Sequence, residues 1–119
     1  MIKEWIQGKD LEKYQIDTEN QEPVDIQDIK DVISLVNTAS KVNCTFVLHL
    51  ILNIGEFNVK SDNFKNIDLL KANKTQDERL SITHTDALML IDTTINVKDI
   101  IGIEFTLKFI NKEEVMQDV

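Results

Sequence analysis

One cysteine, one proline and three glycines stand in 119 residues, and each scarcity excludes something. Cys44 has no partner for an internal disulfide, which fits a reducing compartment. Three glycines leave no Gly-rich loop to cradle a phosphate, and no Ser sits in a nucleophile elbow. The longest apolar stretch, Phe46-Val47-Leu48 then Leu50-Ile51-Leu52, is broken by His49. It falls far short of the ~18 residues a membrane span needs, so no membrane insertion is expected. Met1-Ile2-Lys3-Glu4-Trp5 has no basic stretch leading into an apolar one; no signal peptide and a cytoplasmic location are expected. Arg79 is the sole arginine, which leaves almost no bidentate reading of guanine or phosphate.

What is present suits one folded domain over 1–119. Hydrophobic residues make up 42% and charged residues 29%, enough to build a core. Thirteen basic against 21 acidic side chains give a net charge of −8. The charge is uneven: −5 over 1–40, +1 over 41–79 and −4 over 80–119. The Lys, Asn and Ile richness resembles the coding bias of an AT-rich bacterial genome or mobile element.

Hydrophobic spacing predicts the elements. Residues 1–16 are open between a short helix and a strand. Pro23 fits the first turn of a helix over about 24–39, with Ile26, Ile29, Val32, Ile33 and Val36 on one face. From Val42 to Asn53 apolar residues alternate strictly, which predicts a long strand with a second face made partly apolar by Val47 and Ile51. Gly55 ends or bends it, and Phe57 and Val59 pair back as a hairpin. Residues 61–73 are open between helix and strand, with Phe64, Ile67 and Leu70 as a helical face. Strands are expected at about 79–84, 87–91 and 94–98, with a turn at Asp92-Thr93-Thr94, then a last strand after a bulge at Gly102. Residues 111–119 read as an acidic tail. The fold expected is α+β: a helical N-terminal part (1–40) packed on a small antiparallel β-barrel (41–110).

Three kinds of chemistry have candidate residues. His49 lies mid-strand and His84 lies in Thr83-His84-Thr85-Asp86, a possible metal corner that lacks a fourth ligand. The bland readings are a half-buried His49 and a core Cys44; neither a metal nor another cofactor is expected, and no catalytic residue is assigned. Lys60, Lys65, Lys71, Lys74 and Arg79, near Phe57 and Phe64, are the candidate nucleic-acid group. Asp17, Glu19, Glu22, Asp25, Asp28 and Asp31 form an acidic run, either a solvated face or a docking patch centred on Asp25, Asp28 and Asp31. Pairing of strand edges between copies offers a homo-oligomer.

The C-terminal meander carries a resemblance. Leu80-Ser81-Ile82-Thr83-His84-Thr85-Asp86-Ala87-Leu88-Met89-Leu90, followed by Ile95-Asn96-Val97-Lys98-Asp99-Ile100-Ile101-Gly102-Ile103-Glu104-Phe105, is similar to the strands of PUA-like and Sm-like barrels. With its size, acidity and Lys/Asn/Ile bias, the chain resembles the PrgU-like family, small regulatory proteins of enterococcal pheromone-inducible conjugative plasmids. That resemblance implies a PUA-like barrel and a non-enzymatic cytoplasmic regulator that restrains conjugation and surface-adhesin genes, through RNA or through a host or plasmid protein. The alternative is a phage or plasmid interaction module docking on a host factor through its acidic surface.

Overall fold

The computed structural model describes residues 2–8, 11–18, 21–42 and 44–109. Glu19 and the tail 111–119 lie outside the described residues. Eight strands and one helix follow in the order β1 (Ile2–Gln7), β2 (Leu11–Asp17), α1 (Ile26–Ala39), β3 (Cys44–Leu52), β4 (Gly55–Lys60), β5 (Phe64–Leu70), β6 (Arg79–Asp86), β7 (Met89–Asn96) and β8 (Ile100–Phe109). Two antiparallel sheets result, one ordered β1-β2-β8-β3-β4 and the other β5-β6-β7. Among the described residues no ladder joins the sheets, so they are two layers and not a closed barrel.

Alternation builds the large sheet. Phe46, Leu48 and Leu50 of β3 stand opposite Leu107, Phe105 and Ile103 of β8, and all six are buried. Tyr14 and Ile16 of β2 and Val59 of β4 extend this inner face. Helix α1 lies over it, turning Ile29, Val32, Val36 and Ala39 inward, and also touches β5. Its cap is Asp25, whose side chain accepts from the Gln27 N–H, so Pro23 precedes the helix instead of opening it. Ile67, Leu80, Ile82 and Ile95 of the small sheet join the same core.

Two further expectations are corrected, one open reading is decided and one is met. Residues 2–17 are a hairpin in the large sheet, so the N-terminal third supplies two strands as well as the helix. Phe64–Leu70, open between helix and strand by spacing alone, is a strand paired to β6. Asp92, Thr93 and Thr94 lie inside β7, and the hairpin instead turns at Ala87-Leu88, where Ala87 has a positive φ of 54°. The bulge expected at Gly102 is present: Ile51 pairs with Gly102 and Leu52 with Ile100, so Ile101 of β8, next to Gly102, is the extra residue.

Candidate functional site

A strongly apolar recess lies between α1 and the large sheet. Trp5 of β1, Tyr14 of β2, Phe105 and Phe109 of β8, and Leu35 and Val42 on the helix side wall a cavity of about 280 Å³. Glu12 is the charged residue in its lining. The Trp5 and Tyr14 rings meet at 5.5 Å. Outside this recess, Lys3 Nζ lies 2.8 Å from Asp28 Oδ1 and 3.8 Å from Asp31 Oδ2. It also stands 5.9 Å from the centre of the Tyr14 ring. The hydrogen bond with Asp28 holds the Lys3 ammonium well above the ordinary lysine range, and burial pushes the Tyr14 phenol up.

A second apolar feature is the β6–β7 tip. Leu88, Met89 and Leu90 are all exposed there, Leu88 fully. Two-residue hairpin turns ordinarily carry Asn or Gly, which accept positive φ and face water at little cost. Here apolar side chains take their place.

The predicted acidic patch is divided. Asp25 is exposed and caps α1, and Asp31 is partly open, but Asp28 is 5% exposed and held by Lys3. The basic group is spread out. Lys60 ends β4 and Lys65 lies on β5 just past the 61–63 crossover. Lys71 and Lys74 sit in the loop after β5. Six residues of strand, about 20 Å, separate Lys65 from Lys71. Arg79 opens β6 half-buried, its Nε without a hydrogen-bond partner among the described residues. Phe57 packs edge-on against His84 at 5.4 Å and Phe64 against Phe46 at 5.5 Å, so both rings are engaged with the protein interior.

The reactive candidates are likewise in structural contacts. Cys44 Sγ donates to the Ala39 carbonyl at 3.2 Å, and burial pushes its thiol up, away from the thiolate a nucleophile needs. His84 Nε2 meets Thr93 Oγ1 at 2.8 Å. His49 stands between two carboxylates, Nδ1 at 3.5 Å from Glu104 and Nε2 at 3.5 Å from Glu56. The two carboxylates address opposite sides of the ring and so do not share a coordination point. Among the described residues no three His, Cys, Asp or Glu side chains form a group able to hold a metal ion. Among them, too, no helix is long and apolar enough to cross a membrane.

No family model, curated protein or solved structure matches the chain. The recess and the hairpin tip were not legible in the sequence. Trp5, Val42 and Phe109 are far apart along the chain, and Leu88-Met89-Leu90 reads as ordinary strand.

Proposed function

We propose that this chain is a non-enzymatic cytoplasmic regulator encoded on a mobile element, restraining conjugation and surface-adhesin genes by contact with a protein. The two sheets with α1 across them are read as an opened PUA-like barrel. The observation that carries the reading is the β6–β7 tip. Three adjacent large apolar side chains facing water at the end of a hairpin are costly unless something covers them, and such patches mark partner contacts. Acidic Asp86 and Asp92 flank the tip, which favours an apolar recess with a basic rim.

The test is a reporter for the surface-adhesin genes in the native host, with the chain supplied in excess. Expression should fall with the wild-type chain. It should recover with L88D/M89D, provided that variant keeps its circular dichroism and melting point. Full repression by the folded variant would refute the tip as the contact.

RNA is the second reading, favoured by one observation: Lys60 and Lys108 line the same shallow recess on the outer sheet face. The net charge of −8 opposes a polyanion at long range. Mobility shifts with the transcripts of its operon over a salt series test it; no retardation even at low salt would end it.

A further inference from the structure

The face of the large sheet turned away from α1 sorts its charges by row. Strand register places Ile6, Lys13, Thr106, Val47 and Lys60 in one row across the five strands. The next row toward one end holds Leu11, Lys108 and Thr45. Toward the other end come Glu4, Gln15, Glu104, His49 and Asn58, and then Asp17, Gly102, Ile51 and Glu56. Within these strand rows each lysine lies in the first pair and each carboxylate in the second; Asp62, just past β4, is an acidic side chain at the basic end. The Lys13–Glu104 ion pair, at 3.7 Å, bridges the boundary. Val47 and Ile51 are half-buried, and Ile6 and Leu11 are exposed, which adds apolar area at the centre and at one margin.

A flat face with one basic half and one acidic half is complementary to itself when turned end for end. We propose that two copies of this chain pair through this face about a two-fold axis running across the strands, between the Thr106/Val47 row and the Glu104/His49 row. That axis lays each copy's lysine rows on the other's carboxylate rows. Lys60 then faces Asn58 of the second copy, one row from its Glu56, and Lys108 faces Gly102, beside its Asp17. Val47 and His49 fall next to the axis. The opposite choice, an axis along the strands, would stack like on like.

The area suffices. Five strands about 4.8 Å apart and seven residues of about 3.4 Å each span roughly 570 Å² per copy. The pair buries roughly 1,150 Å², above the ~1,000 Å² a specific interface should clear and at the weak end of stable ones. Micromolar, salt-sensitive association follows, because exposed charges supply much of the complementarity.

Analytical ultracentrifugation on the intact chain tests the pairing. At tens of micromolar and about 50 mM salt the wild type should be a dimer, dissociating at least tenfold more readily at about 0.5 M salt. K60E/K108E leaves Lys13, paired with Glu104, as the one lysine of these rows, and D17K/E56K shifts the acidic half toward positive charge. Each should be monomeric alone, with an unchanged circular dichroism spectrum, since all four side chains are exposed. Mixed in equal amounts, they should form a one-to-one heterodimer. A monomeric wild type at low salt would overturn the proposal, as would a dimer whose dissociation constant neither variant changes. A monomer that retards RNA through Lys60 and Lys108 would overturn it too, in favour of the nucleic-acid reading.

Discussion

Lys3 of the edge strand β1 donates to Asp28 in the first turn of α1 across 2.8 Å, and this bond ties the N-terminal hairpin to the helix that covers its sheet. Among the described residues Asp28 Oδ2 is buried without a hydrogen-bond partner, and Lys3 is the cation that compensates the carboxylate through Oδ1. Lys3→Met should lower the denaturation midpoint, because it strands a buried charge. Lys3→Met/Asp28→Leu should recover part of the loss by removing that charge.

The same cluster sets a pH limit. Lys3 is raised first by its hydrogen bond with Asp28, and Tyr14 first by burial. Both groups hold their protons more tightly folded than unfolded. Their contribution is therefore complete below about pH 10, where both are still protonated in the unfolded chain, and is lost as pH rises through the folded values. The urea midpoint should fall gently from about pH 9, where the unfolded chain's Cys44 thiol ionises but the buried one resists, and more steeply above about 10. In Lys3→Met the lysine part of that fall should vanish.

Reversing the acidic run is not neutral to the fold. Asp28→Lys places like charge beside Lys3 and should destabilise the chain, whereas Asp25→Lys/Asp31→Lys leaves that bond intact. The double variant, checked by melting point, is thus the right probe for docking through this patch. Loss of a captured host factor by the folded double variant would favour acidic docking, and retention would remove it.

Leu48 of the large sheet and Ile82 of the small one are both fully buried in a single cluster. Leu48→Ala and Ile82→Ala should each cost about 2–5 kcal/mol. Each should show one cooperative urea transition, not two, because the sheets share a core. A separate early transition in Ile82→Ala would show that the small sheet melts independently.

Gly102 tests the sheet's closest approach. A Cβ there would stand 3.1 Å from Ile51 Cδ1 and 3.3 Å from the Ile16 carbonyl oxygen. Gly102→Ala should cost about 1–3 kcal/mol. Adding Ile51→Val removes the methyl in the way and should return part of it, while the carbonyl contact remains. At the hairpin turn the sign reverses: Ala87 holds φ 54°, and Ala87→Gly should stabilise by about 0.5–1 kcal/mol in thermal melts.

Local pattern carried much of the fold. Alternation through Phe46, Leu48 and Leu50 marks β3, and the three-and-four spacing of Ile29, Val32 and Val36 marks α1, because each period reports which side of one element is dry. Phe64, Ile67 and Leu70 leave the element undecided because a spacing of three also suits a helix, while on β5 Ile67 alone of the three is buried and Phe64 and Leu70 are half-buried. Likewise Asp92-Thr93-Thr94 has turn chemistry but sits in register opposite β6.

Composition and periodicity by themselves determined one acidic, mostly β chain with a single amphipathic helix, since these depend only on neighbours along the chain. The burial of Asp28 beneath Lys3, the recess between Trp5 and Phe109, and the sorting of lysines from carboxylates into opposite halves of one face were decided by the tertiary structure alone. Each joins residues from strands distant in sequence, and only the pairing of β1, β2, β8, β3 and β4 in one register brings those side chains into line.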